Sequence, residues 1–537
     1  MIRIRDISLS PGQDQAKLHQ LCAKVLKLSP ADISYIEIHK RSVDARKKSD
    51  IRIIYTVDAA IRGSEEKLLR RLKNPKVTLA DHYVYEIPRP AQLPETRPVI
   101  VGFGPGGMFA ALVLAEAGLR PLVLERGLDA KTRHEKVETF WRTGLLDPDC
   151  NVQFGEGGAG TFSDGKLNTG TKNPRGQWVL EQLAAAGASP EICYDAKPHV
   201  GTDVLLEVVQ RLRARILSLG GEVRFGAQMT GLELHDGRLT GLWVRQNGET
   251  ALLPCERCIL AIGHSARDTF EMLHGLGVPM EPKPFSMGVR IEHRQALVNE
   301  SQYGPMAQTG LLPPADYKLN VLLPGGGSAY TFCMCPGGQV VAAASEPGRV
   351  VTNGMSNAAR DGENANAALL VTLQPADFPD RDTLGGMRWQ RALEARCFEA
   401  GGGNYRAPAQ LVGDFLARRP SQALGSVTPT YRPGVTLCEL HDVLPEKLTA
   451  VLEQAIPALD RKLHGFAAAD AVLTAPETRS SSPVRILRGE NFQSAVAGLF
   501  PCGEGAGYAG GILSAAVDGM RCAEALVQSL DFSSALR

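Results

Sequence analysis

The stretch from Pro98 to Glu125 limits what this chain can fold into more than any other. Pro98-Val99-Ile100-Val101 reads as a buried strand, and Gly102, Gly104 and Gly107 follow it in the spacing G-x-G-x-x-G. A helix is predicted over 108–117, with small Ala110, Ala111 and Ala115; Gly118 ends it, and 121–125 returns to strand. Gly102 permits a tight turn, Gly104 lets a diphosphate approach the backbone, and Gly107 with Ala111 lets the helix pack close to the sheet. Gly102, Gly104, Pro105, Gly106 and Gly107 would then surround a helix N-terminus whose free N–H groups and partial positive charge suit a diphosphate. Glu125 ends the second strand, 21 residues after Gly104. There its carboxylate is placed to accept hydrogen bonds from two ribose hydroxyls and to repel a 2′-phosphate.

A second glycine turn lies at the other end of the chain. Gly498-Leu499-Phe500-Pro501 reads as a strand entering the run from Cys502 to Gly511, and a helix is predicted over 512–529, small at Ser514, Ala515, Ala516 and Gly519. NAD needs no such second segment, whereas FAD is long enough to require one. Gly503, Glu504, Gly510, Gly511 and Ile512 are the expected contacts. Glu504 would sit near the ribityl chain or the diphosphate, and the helix N-terminus would favour negative charge on reduced flavin.

These two blocks resemble the FAD-binding segments of the glutathione-reductase-type flavoprotein superfamily. Glu125-Arg126-Gly127 is similar to its adenosine-binding Glu-Arg, and Leu260-Ala261-Ile262-Gly263-His264 resembles its Ala-Thr-Gly element, with Ile262 in place of Thr. Within that superfamily the chain resembles the FAD-dependent dehydrogenases labelled NAD(FAD)-utilising dehydrogenases. The matching stretches are 155–167, 198–203, 332–338, 477–485 and 503–511. The resemblance implies FAD and oxidoreductase chemistry, adds Arg126, Gly158, Thr161, Gly165, Lys166 and Gly263 to the cofactor contacts, and leaves the substrate open.

The expected architecture is α/β. A Rossmann-like FAD-binding domain in two parts, 96–280 and 466–537, holds an inserted substrate or cap domain at 281–465. An N-terminal α+β domain at 1–95 precedes it. Its strands are predicted over 2–9, 33–40, 51–59 and 82–87, with helices over 13–28 and from Glu65, Ser64 being the N-cap; that order, β-α-β-β-α-β, is ferredoxin-like. This segment has 18 Lys and Arg against 12 Asp and Glu, a basic surplus in a chain whose net charge is only +1. Lys40, Arg41, Arg46, Lys47 and Lys48 make it a candidate protein-partner surface, or simply a solvated loop. The balanced total gives no argument for nucleic acid, and no apolar run has the ~18–20 residues of a membrane span. No signal-peptide pattern opens the sequence, and the 11 scattered cysteines suit a reducing compartment, so a cytoplasmic protein is expected.

Candidates for the chemistry are fewer. Lys166 could meet charge on reduced flavin, as Ser163 and Asp164 could meet its polar edge. Cys333 and Cys335, two residues apart, are either a strained redox pair or two buried thiols in a strand. Arg479, with Arg485 and Ser480–Ser482 nearby, suits a carboxylate or phosphate, or else an interdomain salt bridge. His199 and His264 could pass protons, or be structural. Cys255 and Cys258 read as ordinary thiols, and no zinc or iron–sulfur spacing is present. A second G-x-G-x-x-G with a following acid is absent, so NAD(P)H would dock only transiently on the flavin face. The expected activity is hydride transfer between flavin N5 and a small organic substrate. A partner-binding redox sensor with structural FAD and a flavin monooxygenase are the alternatives.

Overall fold

The computed structural model describes residues 1–530 except 168–172, and the backbone of 531–533. The last residues of the expected 466–537 segment lie outside the described residues. Five three-residue strands form one parallel sheet in the order Leu499–Pro501, Cys258–Leu260, Val99–Val101, Leu122–Leu124, Glu222–Arg224. The inner strands are wholly apolar and buried, as a sheet covered on both faces demands. The helix Pro105–Glu116 is buried almost all round, and the last helix, Ile512–Ser533, packs against it. That contact is backbone to backbone: a Cβ on Gly519 would lie 2.0 Å from the Gly106 carbonyl oxygen. Gly102 adopts φ +95°, where a Cβ would lie 2.3 Å from the Ala261 carbonyl oxygen, so the first glycine turn admits no side chain there.

The predicted strand–helix alternation gives way at 227–254 to an antiparallel meander, Ala227–His235, Arg238–Gln246 and Glu249–Pro254. Its turns are Asp236-Gly237 and Asn247-Gly248, all four residues at positive φ. Those are the hairpin turns such dipeptides favour.

A seven-stranded sheet stands beside the parallel one, ordered Asn320–Leu322, Ser328–Cys335, Asn364–Leu373, Phe285–Arg294, Val472–Glu477, Ala407–Leu411, Val435–Leu437. Val472–Glu477 pairs with both Phe285–Arg294 and Ala407–Leu411. A boundary at 465 would therefore cut this sheet, whose membership runs to Glu477. A short antiparallel pair, Met280–Pro282 with Val484–Ile486, forms where the chain passes between the two sheets.

The N-terminal residues form a four-stranded antiparallel sheet ordered Ile33–Asp44, Arg52–Ile61, Ile2–Leu9, Val77–Leu79. Ser64 caps the helix Glu65–Leu72 through the Lys67 N–H. The last strand is Val77–Leu79, not 82–87. Residues 82–87 have no regular structure and run out toward the last helix, where the Tyr85 hydroxyl donates to Glu524 (2.9 Å). No described helix is long and apolar enough to cross a membrane.

Arg41 is not a free surface charge. Its guanidinium donates to Asp195 (2.6 and 2.8 Å) and Glu191 (3.0 and 2.8 Å), and its backbone pairs with Tyr194 and Ala196. This clamp holds the N-terminal sheet against the 190–196 turn. Arg41→Ala is expected to lower stability by about 1–2 kcal/mol and to speed proteolysis within the first 60 residues. Denaturant unfolding with limited proteolysis checks both. Arg46 is likewise spent on Asp44.

Candidate functional site

Both glycine turns leave the same edge of the parallel sheet and open into one cleft of about 440 Å³. Its wall includes Gly102, Gly104, Pro105, Gly106, Glu125 and Arg126 from the first turn and strand, and Gly503, Glu504, Gly510, Gly511 and Ile512 from the second. Gly158, Lys166, Gly263, Cys333 and Arg479 complete the expected residues found there. Thr161, Gly165, Gly107, His199 and Cys335 do not line it. Gly107 is used in packing, since a Cβ would lie 1.9 Å from the Gly102 carbonyl oxygen. Thr161 is buried and bonds the Glu156 carbonyl at 3.4 Å, and Gly165 packs on Val200 and Gly201. His199 bonds the Ala358 carbonyl at 3.2 Å; burial, then the Arg360 charge, lowers its pKa, so it stands as a neutral structural group.

Glu125 shapes the first turn as much as it faces the cleft. It accepts from Phe103 N (2.8 Å), Gly127 N (2.8 Å) and Gly155 N (2.9 Å), which occupy three of the roughly four acceptor positions of a carboxylate. The site left over is on the oxygen bonded only to Phe103. Arg126 lies over the Phe154 ring (4.4 Å) and pairs with Asp268 (2.8 Å), making a rigid end wall.

The 155–167 loop lies directly on the first turn. Gly158 has φ +62°, and a Cβ there would come within 2.9 Å of the Gly104 Cα. The loop is pinned from behind by Asp164, which is fully buried, bonded to Arg360 and Ser356, and absent from the cleft wall. Lys166 donates to the Met334 carbonyl and stands 3.9 Å from Asp164, at the point where the loop meets the strand Ser328–Cys335.

Arg479 reaches the cleft, but its guanidinium is engaged. It donates to both oxygens of Glu394 (3.1 Å each) and to Ser345, while Arg267 grips the same carboxylate from the other side (2.8 Å twice). Arg479 thus stands in a buried salt bridge while its residue lines the cleft. Burial alone would raise the Glu394 pKa; the two arginines, Arg267 foremost, hold it far below the carboxylate range. Arg485 is similarly paired with Glu281 (3.0 Å).

Glu504 and His264 lie 3.7 Å apart on the cleft wall. Burial lifts the Glu504 pKa to about 7 against the pull of the Gly511 N–H and the Lys283 charge. Burial, with Arg479 and Arg267 beyond, takes His264 down to about 3, so His264 is neutral at pH 7. Because the folded-state pKa of Glu504 exceeds its unfolded value, its proton stabilises the fold at low pH. That contribution is lost as pH rises from about 4.5 through 7, by up to about 3 kcal/mol. Glu504→Gln is expected to flatten the apoprotein's stability profile over that window, as thermal unfolding at several pH values would show.

Sequence reasoning missed Tyr317, Thr331, Asn353 and Glu477, all on the cleft wall. Asn353 and Thr331 carry no local signal; only the pairing of distant strands brings them here. Cys255 and Cys258 are buried away from the cleft, with pKa values raised by burial.

Residues 284–480 match the family described as FAD-dependent protein, C-terminal domain-like, and residues 1–60 match a domain of unknown function. A curated protein of Clostridium beijerinckii, described as uncharacterized, is 48% identical over 535 residues, covering 99% of each chain. The chain belongs to the family of that clostridial protein. Its 284–480 segment is similar to the C-terminal domain of an FAD-dependent protein family. Solved structures overlap it more loosely. The flavin-dependent brominase Bmp2 has a TM-score of 0.37 at 13% identity, over 81% of this chain and 79% of that one. A geranylgeranyl bacteriochlorophyll reductase-like protein from Thermoplasma acidophilum has 0.36 at 14%, over 81% and 79%. A glycerol-3-phosphate dehydrogenase from Bacillus halodurans, complexed with FAD, has 0.36 at 10%, over 82% and 65%. Overlaps this loose do not bear on the chemistry of this chain.

Proposed function

We propose that the protein is an FAD-dependent oxidoreductase in which FAD lies extended along the cleft between the two glycine turns, of the NAD(FAD)-utilising dehydrogenase kind. The observation that carries this reading is steric. Beyond its chain neighbours, a Cβ on Gly510 would meet no described atom within 4 Å, and one on Gly104 only the Gly158 Cα at 3.6 Å. Both positions face the cleft with neither a packing need nor a positive φ, so their lack of side chains leaves room for a ligand.

Two helices begin on the cleft wall, at Pro105 and Ile512. The first suits a diphosphate and the second the negatively charged edge of a reduced ring. Glu125 and Arg126 would close the adenosine end, and Glu504 the ribityl region. Bound flavin supplies two-electron chemistry at N5. The chain's part is to hold Lys166, Ser163 and the 331–333 edge around the reacting end, with a small organic substrate entering between them. NAD(P)H would be a transient donor at the open face, since only one dinucleotide-type turn with a terminal acid is present. Lys166 is the proposed electrostatic group; His199, outside the cleft, positions the 155–167 loop through its backbone bridge to Lys166.

The test is an anaerobic visible spectrum of the purified protein before and after NADH or NADPH. A yellow protein that bleaches supports the donor assignment. One that stays yellow removes it while keeping FAD, and a colourless protein that takes up no FAD overturns the whole reading.

A further inference from the structure

The strand Ser328–Cys335 forms one wall of the cleft and breaks its ladder at the end. It pairs with Asn364–Leu373 up to Phe332 opposite Ala368, then resumes only at Cys335 opposite Asn366. Cys333 sits in the break at φ +44°, a left-handed conformation that a residue with a side chain seldom adopts. Such strain is held only where the surroundings over-determine it, and it clusters at working sites. The break also defeats the simple strand expectation for this pair: Cys333 is half-buried and lines the cleft, while Cys335 is sealed behind it.

The Cys335 sulfur and the Cys333 carbonyl share one polar nest. Cys335 Sγ donates to the Cys333 carbonyl at 3.2 Å. The wholly buried Arg290 donates to that same carbonyl (2.6 Å), lies 3.6 Å from Cys335 Sγ, and is held by Asn366 (2.9 Å) and Glu477 (3.2 Å). Burial would raise the Cys335 thiol, but the neighbouring Cys333 side chain and the Arg290 charge hold it below the ordinary thiol range. The Cys335 side chain, then burial, pushes Cys333 well up. Of the two sulfurs, Cys335 thus has the greater thiolate character. Thiolate character is what disulfide exchange requires. The Tyr317 hydroxyl, buried and without a partner among the described residues, belongs to the same nest, with Arg290 and Cys335 both acting on its titration. Cys258 and Cys397, by contrast, are buried thiols raised first by burial, with no arginine hydrogen-bonded at the sulfur.

We propose that Cys333 and Cys335 are a redox dithiol that closes to a disulfide and exchanges two electrons with flavin in the cleft. This rests on the reading that the cleft holds FAD. As the S–S bond forms, both sulfurs lose their protons. Two electrons and one proton pass to oxidised flavin, and the second proton goes to water. The reverse step uses reduced flavin as the reductant and returns two thiols.

The experiment is an anaerobic dithionite titration of air-equilibrated holoprotein, paired with differential alkylation and peptide mass mapping. The wild type is expected to take up about four electrons per flavin, and Cys333→Ser about two, since each couple is a two-electron one. The mapped bond is expected to join Cys333 to Cys335. Uptake of about two electrons by the wild type, free alkylation of both thiols in air, or a bond that survives full reduction of the flavin would each overturn the proposal. So would a bond that joins instead Cys502 to Cys522, which lie together with Asp518. Cys335→Ser serves as the second variant should Cys333→Ser not fold. Absence of a flavin band refutes the cofactor reading and the exchange with it, while the peptide masses report separately on whether the bond forms.

Discussion

Gly104→Val yields a folded protein without flavin. The backbone at Gly104 is extended, φ −75° and ψ −175°, which valine adopts without strain. A Cβ there touches only the Gly158 Cα, at an ordinary 3.6 Å, so the fold has little to lose. The direction the side chain would take is the cleft, at the mouth of the helix Pro105–Glu116, where a diphosphate must come within hydrogen-bond reach of backbone N–H groups. One isopropyl group removes that approach. The expected loss is at least about 100-fold in FAD affinity, or about 3 kcal/mol, with far-ultraviolet circular dichroism unchanged. Absorbance near the flavin band after purification, and FAD titration of the apoprotein, measure it. Full retention of flavin would refute the assignment of this turn.

The largest effect on stability is expected at Glu394. It is wholly buried between Arg267 and Arg479, and the Thr478 hydroxyl donates to it at 2.6 Å. Arg267 begins the helix Arg267–Gly275 just after the parallel sheet, Glu394 lies in the helix Gly385–Ala400, and Arg479 follows the strand Val472–Glu477. The carboxylate therefore joins the glycine-turn half of the molecule to the seven-stranded half. Glu394→Ala leaves two buried guanidinium groups facing each other. Glu346, bonded to Arg267 at 2.6 Å, compensates only in part. Removing one partner of a buried pair costs about 3–5 kcal/mol. Urea unfolding should register a loss of that size, and flavin should dissociate more readily because Arg479 forms part of the cleft wall. An unchanged midpoint would mean that the two arginines find solvent or other partners.

These two positions also mark what a sequence makes legible. Gly104 could be read in advance because its demand is local: strand, turn and helix lie within a few residues, and each glycine answers one steric need. Glu125 could be placed at the end of its strand, but not its three backbone bonds, which depend on how the 155–167 loop returns. The Asp236-Gly237 and Asn247-Gly248 dipeptides carry a local hairpin signal of the same kind. Glu394 could not be read at all. It is 127 residues from Arg267 and 85 from Arg479, and nothing in its own neighbourhood distinguishes it from a surface glutamate. His199 shows the opposite error, since a titratable side chain inside a shared motif invites a chemical role that its carbonyl bond and burial deny it.

The Arg41 clamp bears on more than attachment. The turn it grips, 190–196, leads at once into Lys197, which lines the cleft and pairs with Asp316 across it, and then to His199, whose backbone bridges to Lys166. The basic N-terminal sheet is thereby the abutment of an arch whose far foot stands beside the proposed reacting end. A load on that sheet, from a bound partner or a lost contact, would be carried along eight residues into the mouth of the cleft, although no atom of the sheet lines it.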